Sequence, residues 1–274
     1  MRTAIVLLTG MVALVVGSGV ALAAVITCPT GPGGECRGTK LADQISGTMG
    51  VDQIYALGGD DSVQGGDGAD LIKGNLGVDF LKGGSDDDEM YGGDGNDTAG
   101  GGPGNDTLYG GAGNERLSGG EGEDEIHGGP GDDIDLDGDA LVDTIYGEDG
   151  NDFELDGDRG NDLLYGGPGD DGGAPTSENL QHHGLRGEGG ENWVYGEDGA
   201  DTIDAQTTVD LAGAPEKIFG GDGNDTITAA DGLVDEIDCG PGLDTVVAYD
   251  TGLDMLVADS CETTIPVAAT VVGN

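Results

Sequence analysis

Residues 92–109 read GGDGNDTAG and then GGPGNDTLY, two nine-residue frames laid end to end. Both place glycine at positions one, two and four, aspartate at position six and an apolar residue at position eight. The frame runs backwards through GGSDDDEMY (83–91), GNLGVDFLK (74–82), GGDGADLIK (65–73), ALGGDDSVQ (56–64), GTMGVDQIY (47–55) and the weaker GTKLADQIS (38–46). It runs forwards through GGAGNERLS (110–118), GGEGEDEIH (119–127) and GGPGDD (128–133). The sixth position is acidic in every copy: Asp43, Asp52, Asp61, Asp70, Asp79, Asp88, Asp97, Asp106, Glu115, Asp124 and Asp133. Beyond Asp133 the period stretches, yet GEDGNDFEL (147–155), GDRGNDLLY (157–165), GEDGADTID (196–204) and GGDGNDTIT (220–228) keep the pattern. Sixth-position aspartates recur at Asp143, Asp152, Asp162, Asp171, Asp201, Asp225, Asp235 and Asp244. Single-residue insertions fall near Asp137 and Asp156, where Leu136 and Leu155 take the apolar position. Two longer interruptions, 172–186 and 205–219, are expected to break the array.

Composition narrows the function before any motif is named. Glycine supplies 59 of 274 residues, and 9 Lys plus Arg face 55 Asp plus Glu for a net charge of −46. Phosphate backbones are bound through clustered Lys and Arg, so nucleic acid is excluded as a partner, and anionic membrane surfaces with it. Glycine on this scale argues against a helical or doubly wound core. An acidic disordered chain and a fold neutralised by a cation both fit the composition. A disordered chain has no reason to hold an acidic residue in register through eleven frames, so the second reading is adopted.

Each frame divides into a turn and a strand. Gly-Gly-x-Gly-x-Asp is turn chemistry: glycine permits positive φ and close backbone approach, and leaves carbonyls free. The closing x-U-x is a minimal strand with an inward apolar residue, among them Ile54, Val63, Ile72, Leu81, Met90, Leu108, Leu117, Ile126, Ile145 and Leu164. A three-residue strand is unstable alone and must stack on its successors. Loops offering carboxylates and carbonyls suit calcium, a hard cation that takes six to eight oxygens at ~2.3–2.6 Å. Magnesium demands a tighter octahedron, and zinc wants nitrogen or sulfur ligands.

The motif resembles the haemolysin-type, or repeats-in-toxin, calcium-binding nonapeptide of small secreted repeat-only proteins. The resemblance covers about residues 38–247. It implies an all-β fold, a parallel β-roll of about ten two-repeat turns, with several calcium ions between stacked loops. The ligands it implies are loop carbonyls and the side chains of Asp43, Asp52, Asp61, Asp70, Asp79, Asp88, Asp97, Asp106, Asp124, Asp133, Asp143, Asp152, Asp162, Asp171, Asp201, Asp225, Asp235 and Asp244. Glu115, Asn192 and Glu216 depart from the pattern and put their own sites in doubt.

The ends read differently. Arg2, an apolar run from Ile5 to Val16 and the small-x-small Ala21-Leu22-Ala23 form a secretory signal peptide over 1–23, cut after Ala23. The mature chain is then extracellular, without a membrane span, carrying 8 Lys plus Arg against 55 acids, or −47. Residues 24–37 form an N-terminal segment, 38–247 the repeat array, and 248–274 a cap and tail. Cys28, Cys36, Cys239 and Cys261 allow three pairings. Local pairing is favoured because each bridge would then clip one end.

No catalytic constellation is present in the sequence. The three histidines are His127, at a ninth position, and His182-His183, in an interrupting loop; no nucleophile elbow or zinc-protease helix occurs. The chain is read as a non-enzyme, with no cofactor besides calcium. Six tyrosines, Tyr55, Tyr91, Tyr109, Tyr146, Tyr165 and Tyr195, fall at the ninth position. Stepping by one turn gives Tyr55, Lys73, Tyr91, Tyr109, His127, Tyr146 and Tyr165, so one flank is aromatic. A stacking ladder that stabilises neighbouring strands is the first reading. A platform for a cell-surface glycan or protein, making the chain a calcium-dependent adhesin, is the second. A non-catalytic appendage of an exported enzyme or toxin system is a more remote one.

Overall fold

The computed structural model describes residues 4–8, 11–15, 24–29, 34–172, 184–205, 216–229, 234–249, 254–256, 261 and 263–264. The proposed cleavage site and the His182-His183 pair lie outside them. All regular elements among the described residues are strands, in two compact units, Met1–Gly129 and Pro130–Asn274.

In the first unit, alternate strands go to opposite sheets, which is the signature of a solenoid. One sheet runs Val25–Thr27, Gln44–Ser46, Ser62–Asp67, Phe80–Ser85, Thr98–Pro103, Arg116–Glu121. The other runs Gly34–Arg37, Asp52–Gly58, Leu71–Leu76, Glu89–Asp94, Thr107–Ala112, Glu125–His127. All these neighbours are parallel, and the register moves by 18 residues per turn, as in Met90↔Leu108 and Leu81↔Ala99, except for 19 at the first pair, Ile26↔Ile45. Before them, Ala4–Leu8 and Met11–Val15 pair antiparallel with each other, and the second pairs antiparallel with Val25–Thr27.

The second unit repeats the plan. Asp135–Ala140, Glu154–Asp156, Gly184–Arg186, Thr202–Asp204, Thr226–Ala229, Thr245–Tyr249 and Thr263–Thr264 form one sheet. Thr144–Tyr146, Leu163–Pro168, Trp193–Gly199, Lys217–Gly223, Glu236–Asp238 and Met255–Leu256 form the other. The chain is thus an all-β parallel solenoid of about ten turns.

The core is the eighth-position column. Ile54, Ile72, Leu81, Met90, Leu108, Ile126, Leu136, Ile145, Leu155 and Leu164 are all fully buried, including the two leucines at the insertions. Two expectations need correction. The first three loop residues belong to the strands in most frames, so Glu89–Asp94 has six residues rather than three. Gly93 adopts φ +121° and its partner Gly111 φ +110°, and the two still pair in register. The kink is a positive-φ position that glycine takes without strain, and Leu57, Asn75 and Glu197 take it in other turns at φ +84°, +76° and +76°. The longer interruptions also leave the stacking intact: Leu155 pairs with Leu185 across 172–183, and Ile203 with Ile227 across 206–215.

Two disulfides join the cysteines locally, Cys28–Cys36 and Cys239–Cys261. The first ties the end of Val25–Thr27 to Gly34–Arg37 and so links the two sheets at the start of the parallel stack.

Candidate metal centres

The sixth-position side chain points inward, one residue before the outward seventh and two before the core eighth. All eighteen aspartates named from the sequence are buried. In most of them Oδ1 is spent on backbone; at Asp52 it is Oδ2 that accepts instead, from the N–H and hydroxyl of Thr48, and Oδ1 has no hydrogen-bond partner. The N–H of Asp43 donates to Asp61 Oδ1 at 2.6 Å, that of Asp70 to Asp88 Oδ1 at 2.7 Å, and that of Asp79 to Asp97 Oδ1 at 2.8 Å. In the second unit the N–H of Asp152 donates to Asp171 Oδ1 at 2.8 Å and that of Asp201 to Asp225 Oδ1 at 3.0 Å. Each of these carboxylates is therefore clamped to the turn before it.

The other oxygen is left over. Oδ2 of Asp61, Asp70, Asp79, Asp88, Asp97, Asp106, Asp152, Asp162, Asp171, Asp201 and Asp225 is buried without a hydrogen-bond partner. A buried anionic oxygen with no donor is costly unless a cation or a proton meets it. Its surroundings supply further oxygen. A Cβ built on Gly92 would lie 2.5 Å from Asp97 Oδ2 and against the Gly110 carbonyl oxygen of the following turn. At Gly65 the Gly83 carbonyl oxygen would stand 2.6 Å from such a Cβ, with Asp70 Oδ2 beside it. First-position glycine thus keeps open a cradle in which carboxylate and carbonyl oxygens converge. An all-oxygen, acceptor-only donor set fits calcium.

Electrostatics register the same excess. Burial, opposed by the backbone hydrogen bond and reinforced by neighbouring carboxylates, pushes Asp61 and Asp88 up to about 7 and Asp152 up to about 8. Burial likewise raises Asp70 and Asp97 to about 6, and Asp162, Asp171 and Asp201 to about 7. The column resists carrying its full negative charge unaided.

Departures from the pattern behave as their chemistry dictates. Asn192 keeps the clamp, its Oδ1 accepting from Asp162 N–H at 2.8 Å, but its Nδ2 occupies the cradle at Gly187, 2.5 Å from a built Cβ. It donates to Glu216 Oε1 at 3.3 Å, so an amide stands where an anionic ligand stands elsewhere. The extra methylene of Glu115 fills the cradle at Gly110, its Cγ 2.7 Å from a built Cβ. Four features escaped the sequence reading. Asp254 extends the clamp, accepting from Asp235 N–H at 3.3 Å; its spacing of 19 from Asp235 was a usable signal. Fifth-position Asn and Asp side chains form an outer ladder, as where Asp87 Oδ1 accepts from Asn105 N–H at 2.8 Å. Asp137, Asp139 and Asp158 converge within 4.8 Å at the single-residue insertions. One turn further, buried Arg186 pairs with Asp156 at 3.1 Å and with Glu188.

The aromatic flank stacks as expected. Tyr91, Tyr109 and His127 lie 4.8 Å apart ring to ring, with Lys73 Nζ 4.0 Å from the Tyr91 centroid. In the second unit Tyr146, Tyr165, Tyr195 and Phe219 stack at 4.7–5.0 Å.

Comparison with known proteins agrees with this geometry. No curated protein sequence matches the chain. A family model described as the RTX calcium-binding nonapeptide repeat (4 copies) matches residues 38–72, 46–81, 64–99, 73–108, 100–135, 137–172, 185–207 and 215–232. With that model covering most of the chain, the clamped aspartate column and its glycine cradles have a plain assignment: the chain belongs to the RTX calcium-binding nonapeptide repeat family.

Proposed function

We propose that this is a secreted protein whose repeat array folds on binding several calcium ions and then serves a structural or surface-interaction role. The observation that carries the reading is the column of buried Oδ2 atoms without hydrogen-bond partners. Calcium would be held by those oxygens and by first-position glycine carbonyls, supplying the positive charge that a chain of −46 lacks. Without it, repulsion along the column opposes stacking, so metal binding and folding become one equilibrium. Secretion rests on the apolar segment before Ala23 and on the two disulfides, which suit an oxidising compartment. Extracellular calcium modules bind at ~10⁻⁴–10⁻³ M, which suits the same compartment.

The aromatic ladder supports a structural role over an adhesive one. Rings at 4.8 Å with an interplanar angle of 14° cover each other's faces, leaving edges to solvent. Far-ultraviolet circular dichroism of the chain without residues 1–23 tests the proposal. β-structure should appear cooperatively with calcium and not with equal magnesium. Equal β content in chelator and in calcium overturns it.

A further inference from the structure

The second unit carries a depression beside the aspartate column, with Asp143 and Asp162 of that column in its lining. Strand register sets Thr144, Leu163, Trp193 and Lys217 on successive strands of one sheet. Beside Trp193, Leu163 and Thr144 lies a groove of about 490 Å³, lined also by Tyr165, Asn161, Glu191 and the column residues Asp143 and Asp162. That volume lies within the ~300–1,000 Å³ of small-molecule sites. Trp193 is 42% exposed and does not join the aromatic stack, its plane tilted 43° to those of Tyr195 and Phe219. Lys217 Nζ stands 4.4 Å from the indole centroid on the strand away from Leu163. Trp193 thus lies in the lining of the groove as an exposed indole outside the stacked ladder.

Charge decides what the groove can take. An anion would meet Glu191 and the acids behind it. A second cation would share the indole with the Lys217 ammonium. A neutral ring with an apolar C–H face and hydroxyls around its rim meets neither objection. Asn161 Oδ1 already accepts the Glu191 N–H at 3.0 Å, which leaves its amide hydrogens to donate outward, while the Glu191 carboxylate and the Thr144 hydroxyl can take hydroxyl protons. Amphipathic aromatic surface beside such groups is what a sugar ring needs.

We propose that this groove is a saccharide subsite that stacks one neutral pyranose ring on Trp193, with Asn161, Glu191 and Thr144 binding its hydroxyls. The groove belongs to the folded second unit, so the proposal rests on the calcium-driven folding above. Trp193 is the chain's single tryptophan, so its emission reports the groove directly. The full chain in millimolar calcium is titrated with cellohexaose, chitohexaose and maltohexaose, and folding is followed by circular dichroism. At least one sugar should change the emission saturably. Glu191→Ala keeps the reporter and should weaken binding about tenfold, the loss of one charge-assisted hydrogen bond. Trp193→Ala should abolish binding by calorimetry while β content is retained. A chain that folds with calcium but shows no saturable change with any of the three sugars overturns the groove and leaves the calcium reading standing. So does tetramethylammonium acting at lower concentration than every sugar. A chain that stays unfolded in calcium overturns both.

Discussion

Acid should do part of what calcium does. Burial pushes Asp162 from 3.8 up to about 7. Between those values the folded chain holds a proton that the unfolded chain has released, so the metal-free fold loses stability as pH rises through the window and keeps it below. A shift of about three units at ~1.4 kcal/mol each is about 4 kcal/mol for this group. Asp171 and Asp201 are raised to about 7 by the same cause. Three such groups together approach the ~5–15 kcal/mol that holds an ordinary domain. Ionising the column at neutral pH therefore weakens a metal-free fold, and protonating it restores what was lost. Calcium-stripped protein, followed by far-ultraviolet circular dichroism from mildly alkaline to mildly acid pH, should gain β-structure with a midpoint at about pH 6–7. Relief of surface repulsion alone would place the midpoint near the ordinary carboxylate value of about 4. A midpoint there, or no gain while calcium still folds the chain at neutral pH, refutes the reasoning.

Three further outcomes follow from the same contacts. Asp97→Asn keeps the oxygen that accepts from Asp79 N–H and loses the anion, whereas Asp97→Ala loses both. In calcium-free acid only the alanine variant should be destabilised, by about 1–3 kcal/mol, while in neutral buffer both should need more calcium; an asparagine variant with the wild-type calcium midpoint sinks this division. Arg186→Gln leaves the buried Glu188 and the half-buried Asp156 without their cation and should cost ~3–5 kcal/mol in calcium-saturated thermal melts at neutral pH. That loss should shrink in mild acid, because burial raises Asp156 to about 7 and a proton can replace the guanidinium; an unchanged loss counts against the pairing. Tyr109→Ser removes stacking on both Tyr91 and His127, at ~0.5–1.5 kcal/mol each, and should raise the calcium midpoint without abolishing folding.

The aspartate column and the core were legible because each is one residue type at one spacing: Asp70 and Ile72 recur, two apart, turn after turn. Strand length was not, because the residues that extend Glu89–Asp94 past Tyr91 are glycines, which leave no side-chain periodicity to read. The clamp was invisible for another reason. Sequence spacing says that Asp79 and Asp97 stack, but not that a backbone N–H takes one carboxylate oxygen and leaves the other. Arg186 becomes a neighbour of Asp156 only because the turn that separates them takes 30 residues rather than 18 or 19, a length the repeat does not foretell. Phe219 continues the tyrosine stack although the residues before it hardly resemble the frame.

Turn length is the quantity this fold does not conserve. Successive clamps span 18 residues from Asp79 to Asp97, 19 from Asp133 to Asp152, 30 from Asp171 to Asp201 and 24 from Asp201 to Asp225. The clamps themselves hold at 2.8, 2.8, 2.9 and 3.0 Å. Insertion length therefore acts on the cost of loop closure, which grows slowly with length, and not on the clamps. The cation column is insulated from such insertions because it depends on which oxygen is clamped and not on what lies between clamps. It is exposed to point substitution instead. Asn192 holds its clamp to Asp162 as tightly as an aspartate does, yet puts an amide into the cradle. On the proposed reading one carboxylate carries two separable tasks, fold register on Oδ1 and cation affinity on Oδ2, and the chain can lose the second at a position without losing the first.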